Sequence, residues 1–269
     1  MEAYGDFAKV YDELMDNIPY ELWGERLDEM IQKYGVSKPE RDVETALEAE
    51  RNLVLDLGCG TGTMTEIMYA KGYDMIGVDM SDDMLNIAME KRERSGSQIL
   101  YLEQDMRELE LYGTVGTIFS LCDSINYILE EDELLQVFSL VNNYLFPGGI
   151  FIFDFNTVHK YRDVMGDVTI AENRENCSFI WENYYDPSDE INEYDLTLFL
   201  REDDGRFRRF LETHYQRGYT LDQMEELVRK SGMKVLTSMD ADTMGLVTEQ
   251  SQRVYIIAKE QGKEAKDKM

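Results

Sequence analysis

The sequence predicts an α/β fold: a mostly parallel seven-stranded sheet with helices on both faces, carrying an inserted antiparallel sheet. Three observations predict it. A short apolar run, Leu53-Val54-Leu55, enters a turn with glycines at 58, 60 and 62 and leaves into a helical pattern at Thr63. Apolar strand-like runs then alternate with helical ones as far as Phe155, the way parallel strands alternate with crossover helices. Residues 168–217 break that alternation and read as strands joined by turns, at Pro187-Ser188-Asp189 and Asp203-Asp204-Gly205.

The first strand and its glycine turn form a nucleotide-binding βα unit of the Rossmann-like kind. Glycine lets the chain turn tightly and lets a ligand approach the backbone. The helix that follows offers free N–H groups to that ligand. In the dinucleotide pattern G-x-G-x-x-G the third glycine falls on Thr63 here. The pattern present is D-x-G-x-G-x-G, with Asp56 two residues before Gly58. This resembles motif I of the class I S-adenosylmethionine-dependent methyltransferases. The resemblance implies S-adenosyl-L-methionine as cofactor, with Gly58 and Gly60 shaping its seat and Asp56 helping to hold its cationic amino group.

Residues 1–50 form an N-terminal helical cap. Phe7, Val10, Tyr11 and Leu14 recur at helical spacing, as do Leu22, Trp23, Leu27, Met30 and Ile31. Pro39 is placed near the start of a third short helix ending near Glu50. The phrase Y-x-x-F-A-x-x-Y-D resembles the N-terminal lid of small-molecule methyltransferases. Tyr4, Phe7 and Tyr11 therefore either pack helices or cover the cofactor.

The second strand, Tyr73 to Val78, ends in Asp79, about 20 residues past the glycines, where a carboxylate meets the ribose hydroxyls of a nucleotide. Met80 follows, where the family places an apolar contact to adenine. Ser81 caps the next helix, and Asp82 and Asp83 sit in its first turn. Strand three, Gln98 to Glu103, precedes Gln104-Asp105-Met106. By the resemblance Asp105 receives the adenine amine and the backbone of Met106 reaches a ring nitrogen.

Strand four, Val115 to Leu121, runs into Cys122-Asp123-Ser124-Ile125-Asn126-Tyr127. In an open parallel sheet ligands sit beyond the carboxyl ends of the strands where their order reverses, so 121–127 faces the transferable methyl group, with Leu121 against the cofactor. Asp123 is a candidate base; Asn126 and Tyr127 are candidate substrate orienters. Cys59 and Cys122 read as packing residues. The phrase L-x-P-G-G-x-F-I-F-D resembles the family's turn and fifth strand, with the helix Asp132–Tyr144 broken by Pro147-Gly148-Gly149 and the strand running Ile150 to Phe155.

The core is thus 51–156 and 218–260, closing with a helix from Leu221 to Ser231 and strands Lys234–Met239 and Arg253–Lys259. The insert, 157–217, lies where the family covers its substrate, and 261–269 reads as a disordered tail. Aromatic side chains crowd the insert, among them Trp181, Tyr184, Tyr185, Tyr194, Phe199 and Tyr215. His214 is its candidate base, because imidazole is the group most easily poised near neutral pH. Arg206, Arg208, Arg209 and Arg217 either pair with nearby carboxylates or grip an anionic substrate.

The 269 residues carry 27 Lys and Arg against 55 Asp and Glu, a net charge of −28. Such a surface repels nucleic acid and anionic membranes. Three scattered cysteines and two histidines offer no metal spacing. No signal peptide or membrane span is evident, so a cytoplasmic location is expected. A homodimer is compatible with the sequence. The expected activity is methyl transfer to a nitrogen or oxygen of a small molecule. The alternatives are an NAD-dependent dehydrogenase, which shares the turn and Asp79, and an S-adenosylmethionine-binding protein without chemistry.

Overall fold

The computed structural model describes residues 8–263. Tyr4, Phe7 and the tail beyond Lys263 lie outside the described residues. Three helices come first: α1 (Ala8–Leu14), α2 (Tyr20–Tyr34) and α3 (Ala46–Asn52). The third begins later than expected. Thr45 and Glu48 form a capping box there, so Pro39 precedes the helix. The core then runs β1 (Leu53–Leu57), α4 (Thr63–Ala70), β2 (Asp74–Asp79), α5 (Asp82–Ser95), β3 (Leu100–Glu103), β4 (Val115–Ser120), α6 (Glu131–Tyr144) and β5 (Leu145–Asn156). Ser81 accepts from the Met84 N–H at the start of α5, and Gly96 ends it in the left-handed conformation.

After a short π-helix, Lys160–Met165, the insert follows: β6 (Thr169–Asn173), β7 (Cys177–Asp186), β8 (Ile191–Arg201) and β9 (Phe207–Arg217). The chain returns through α7 (Leu221–Lys230), β10 (Lys234–Asp240) and β11 (Arg253–Lys259). The main sheet has the order β10-β11-β5-β4-β1-β2-β3, with β11 antiparallel to both neighbours and the other pairs parallel. The insert is a separate four-stranded antiparallel meander.

Alternation along the strands builds the two helical layers. Leu55, Leu57, Ile118, Phe151, Phe153 and Phe155 face α6 and α7. Val54, Phe119, Ile150, Ile152 and Ile257 face α2 and α4. Both faces are covered, so the central strands are largely apolar, with a few buried polar side chains such as Asp56 and Asp154. One expectation is corrected: Pro147-Gly148-Gly149 does not break the helix ahead of a strand from Ile150, because α6 ends at Tyr144 and β5 already begins at Leu145. The Pro-Gly-Gly segment is a bulge inside β5, with Val115 opposite Leu145 and Thr117 opposite Ile150.

The strand order reverses between β1 and β4. The carboxyl ends of those two strands carry the glycine turn and the 121–127 loop, so their crevice is where the fold puts a ligand.

Candidate active site

The glycine turn is fixed by the end of β2. The N–H groups of Gly58 and Cys59 both donate to the Val78 carbonyl, at 2.7 and 2.9 Å. Gly60 N–H donates to Asp79 Oδ2 at 2.7 Å and Ser81 N–H to Oδ1 at 2.9 Å. Each carboxylate oxygen keeps capacity for a further donor. Gly58 has φ +81°, and a Cβ there would lie 2.8 Å from Ser124 Oγ, because the 121–127 loop packs against the turn. Gly60, at φ +53°, points its missing side chain into open space. Met80 stands 65% exposed beside it, and Met106 Cε lies 3.6 Å from the Cβ position of Gly58. Leu121 is buried beneath. This is an open backbone cradle flanked by a fixed carboxylate and two methionines.

Asp56 is buried under the cradle and accepts from Thr65 Oγ1 at 2.6 Å. Burial, opposed by Thr65 and reinforced by Asp79, pushes its carboxyl up to about 7. Burial also raises Asp79. Two strained carboxylates under an open cradle favour a cationic ligand. Burial raises the thiols of Cys59 and Cys122 as well, which keeps both protonated and inert.

Asp105 is placed at the edge of the cradle, but Arg107 holds it: Nε lies 3.0 Å from both oxygens and the second guanidinium nitrogen adds a contact at 2.5 Å. That pairing lowers its carboxyl, and an adenine amine has to compete with it.

The 121–127 loop turns sharply. Cys122 and Asp123 both have positive φ, 60° and 55°, a costly conformation for residues with a side chain. Asp154, wholly buried at the end of β5, supports it. Its carboxylate accepts from Cys122 N–H at 3.2 Å and Asp123 N–H at 2.8 Å. Arg253, at the start of β11, bridges Asp154 at 3.2 Å and Asp123 at 2.6 Å. Gln216 of the insert donates to the other oxygen of Asp123 at 2.7 Å. Asp123, expected as a base, thus has both oxygens engaged as a strut.

Asn126, expected to orient substrate, is corrected. It is fully buried, its amide donates to the carbonyls of Asn156 and Arg217 at 2.9 and 2.7 Å, and its oxygen accepts from Asn156 N–H at 2.8 Å. It stitches the insert to β5 and has no face toward a substrate.

Tyr127 and His214 are brought together. Tyr127 Oη lies 3.3 Å from His214 Nδ1 and 2.7 Å from Tyr194 Oη. The Tyr194 ring stacks on the imidazole with centroids 4.8 Å apart. The candidate arginines of the insert do not converge. Arg206 pairs with Asp204, Arg208 lies over Phe210, and Arg217 faces Glu131 and Glu190.

Helix α1 crosses from cradle to insert. Asp12 accepts from Thr61 at 2.7 Å and pairs with Lys91 at 2.7 Å, while Leu14 packs with Cys177, Leu196 and Leu198. Tyr11 hydrogen-bonds Tyr20, which adjoins Cys122. Sequence reading missed Asp12, Lys91, Asp154 and Arg253. A signal for Asp154 was present: an acid inside a strand otherwise apolar on both faces.

Residues 54–149 match the model of a methyltransferase domain. A methyltransferase of Geobacillus sp. (strain WCH70) is 34% identical over 257 residues, 96% of this chain and 99% of that one. The chain belongs to the class I S-adenosylmethionine-dependent methyltransferases. The methyltransferase YqeM of Bacillus subtilis (strain 168) is 32% identical, over 95% of this chain and 96% of its own. The crystal structure of an S-adenosylmethionine-dependent methyltransferase from Clostridium acetobutylicum ATCC 824 superposes with a TM-score of 0.83, at 27% identity, covering 97% of this chain and all of that one. Over a shorter stretch, 111 residues or 41% of this chain and 45% of the other, the chain is 30% identical to the dTDP-3-amino-3,4,6-trideoxy-α-D-glucopyranose N,N-dimethyltransferase of Streptomyces venezuelae. The methyltransferase is therefore an enzyme that uses S-adenosylmethionine, and the dinucleotide and chemistry-free readings give way. Among the described residues, no helix is long and apolar enough to cross a membrane.

The cofactor's charge sets a pH dependence. We propose that Asp56 faces that charge: the cofactor binds as a cation, so it would favour the ionised carboxylate. Affinity for S-adenosylmethionine should rise as pH climbs through about 7, where the free enzyme's Asp56 loses its proton. Calorimetry at pH 6.5 in two buffers of different ionisation enthalpy should show proton release on binding. Asp56→Asn should flatten that dependence. The folded-state carboxyl lies above its unfolded value, so ionised Asp56 costs stability as pH rises from about 4 to 7. Asp56→Asn should therefore stabilise the ligand-free chain at pH 8 by on the order of a few kcal/mol. A binding curve flat with pH would refute the assignment.

Proposed function

We propose that the enzyme moves the methyl group to a nitrogen or oxygen of a small molecule held between the 121–127 loop and the inserted sheet. The observation that carries this reading is the meeting of Tyr127, from the cofactor crevice, with Tyr194 and His214 of the insert. A wall that brings a proton-accepting group to the methyl-facing loop suits a compact acceptor whose nucleophile must lose a proton. The likeness to an aminosugar N,N-dimethyltransferase is consistent with an amine acceptor. The charge of −28 disfavours nucleic acid.

In this reading the Gly58–Gly60 turn seats the cofactor, Asp79 takes the ribose hydroxyls, and Met80, Met106 and Leu121 line the adenine. Asp105 takes the adenine amine in competition with Arg107, Asp56 faces the positive charge, and Tyr11 covers the cleft. The bound cofactor supplies a methyl group on a positively charged sulfur. The chain's residues hold the acceptor in line, keep water out and take its proton. Tyr127, partly exposed beside Ser124, is the group that reaches the acceptor, with buried His214 behind it.

A panel of small amines, alcohols and carboxylic acids, assayed for S-adenosylhomocysteine formation, tests the reading. Turnover should appear on amines or alcohols. On whichever acceptor responds, Tyr127→Phe and His214→Gln should each lower kcat about 100-fold while S-adenosylhomocysteine binds within about twofold of wild type, since neither group lines the cradle. Equal loss of cofactor binding and turnover would place these residues in the fold and not in the chemistry.

A further inference from the structure

The two faces of the inserted sheet differ. Residues directly opposite one another on paired strands share a face, so the register sorts the side chains. The inward set, with Phe179, Leu196, Leu198 and Phe210, forms one cluster with Val10 and Leu14 of α1. The outward set is open: Ile180, Tyr184, Phe207, Leu211 and Tyr215 are 37% to 49% exposed. Large apolar side chains gathered on one exposed face mark a surface built for contact.

The charges on that face are sorted along the strands. Glu182 stands opposite Asp195, and Glu193 is the next outward residue of β8. Like charges directly across a strand pair repel. All three carboxylates act on Tyr184, Glu182 most strongly, and raise its phenol. Arg201 and Arg209 lie at the other end, toward the hairpin turn at 202–206. Arg201 reaches Glu175 only at 3.9 Å. Within the turn Arg206 pairs with Asp204. Between the acidic and basic ends runs the row Ile180–Thr197–Leu211.

A half-turn about that row lays the face onto itself with matching partners. Phe207 and Tyr215 lie equally far from Leu211 along β9, on opposite sides, and so do Arg209 and Thr213. Arg201 and Glu193 lie equally far from Thr197 along β8. In the rotated copy Phe207 therefore falls on Tyr215, Arg201 on Glu193, and Arg209 on Thr213 beside Asp195. A basic protein would meet the carboxylates and be repelled by the arginines, whereas a second copy of this chain suits both. At a net charge of −28 the chain repels its own copy at long range, so a contact between copies needs this local matching. Strands β7, β8 and β9 hold 10, 11 and 11 residues. With β6 the face measures roughly 35 by 19 Å, of the same order as the ~800 Å² that each partner buries in a stable interface.

We propose that the outward face of the insert is a homodimer interface, with two copies of this chain packed sheet on sheet about a two-fold axis along the Ile180–Thr197–Leu211 row. Such an isologous contact uses one patch twice, and aligned sheets pack face to face about 10 Å apart. Ile180 and Leu211 form its apolar centre, Phe207 meets the partner's Tyr215, and Arg201 meets the partner's Glu193. Tyr194, His214 and Gln216 point to the opposite face of the same strands, so the interface is independent of which acceptor the enzyme uses.

Sedimentation velocity of the full-length enzyme at micromolar concentration should give twice the chain mass. Leu211→Glu alters an exposed side chain and sets two carboxylates against each other at the axis. It should weaken association by about 100-fold or more while circular dichroism stays that of the unsubstituted protein. Arg201→Glu and Glu193→Arg should each weaken association by about tenfold or more, since each puts like charges together twice. Mixing those two variants restores both cross pairs, so the mixture should form a heterodimer of unsubstituted strength. A monomeric unsubstituted protein overturns the proposal and leaves the face to a different partner. A dimer indifferent to Leu211→Glu, or a mixture that associates no better than its components, overturns it as well.

Discussion

Asp154→Ala should abolish turnover and unfold the protein at a markedly lower temperature. The buried carboxylate satisfies two demands at once. It accepts the N–H groups of Cys122 and Asp123, which sit in the left-handed region, and it pairs with Arg253. Burial, opposed by Arg253, raises the carboxyl above its usual range. Burial likewise works against the Arg253 charge, and Asp154 and Asp123 outweigh it. Removing one member leaves the guanidinium half paired in a site closed to water. Breaking such a buried pair costs about 3–5 kcal/mol, and each left-handed residue adds strain of about 1–2 kcal/mol that then goes unsupported. The midpoint should fall by roughly 10 °C or more in calorimetry. The loop carries Ser124 and Tyr127, so turnover should vanish even where the variant stays folded. Asp154→Asn, which keeps one acceptor and loses the charge, should fall between. An alanine variant with wild-type melting and activity would show that the loop is held by something else.

The cradle was legible because its residues are dictated by backbone geometry. Gly58 and Gly60 adopt positive φ, and an apolar strand before a glycine turn leaves few other folds open. The carboxylate of Asp79 was legible for the same reason, since the end of the second strand has one place in this architecture. The loop after β4 was legible in position but not in role. Asn126 looked like a substrate contact because it is polar and near the site. Its partners lie 30 and 91 residues away, on Asn156 and Arg217, and nothing local shows that its amide is spent. Asp123 misled in the same way, because Arg253 is 130 residues distant. The positive φ of Cys122 carries no sequence mark at all, for it is imposed by Asp154 across the strand ends.

The insert shows the opposite case. Its strands follow from alternation and turn residues, yet the partner of His214 depends on how the meander sits on the core. A β-strand sends alternate side chains to opposite faces, so Glu212, His214 and Gln216 share the inward face once the register is fixed. Only the packing of that face onto Tyr127 and Asp123 turns three polar residues into part of a site. The arginines at 206, 208 and 209 occupy the distal end of the hairpin and 217 the other. Proximity in sequence made them look like one patch.

The second large effect is expected at Asp79. Asp79→Ala should weaken S-adenosylhomocysteine binding by about 100-fold or more, while Asp79→Asn should cost less. The carboxylate is held by Gly60 N–H and Ser81 N–H, so its remaining lone pairs are fixed in direction before a ribose arrives. The two charge-assisted hydrogen bonds proposed to the ribose would be worth about 1.5–3 kcal/mol each, and preorganisation means little of that is spent on ordering the acid. Alanine removes these and also leaves the Gly60 N–H without its acceptor, which loosens the glycine turn proposed to seat the cofactor. Asparagine keeps one acceptor oxygen but its amide group opposes one of the two backbone donors. The loss of charge has a further consequence under the cradle. Asp79 is one of the groups that raise Asp56, so in Asp79→Asn the Asp56 carboxyl should drop and the pH at which cofactor binding strengthens should move lower. Calorimetric titration of both variants across pH 5.5–8.5 reads both effects. Weak binding with an unchanged pH profile would separate Asp79 from Asp56 and leave the pair electrostatically independent; undiminished binding in Asp79→Ala would remove the ribose contact altogether.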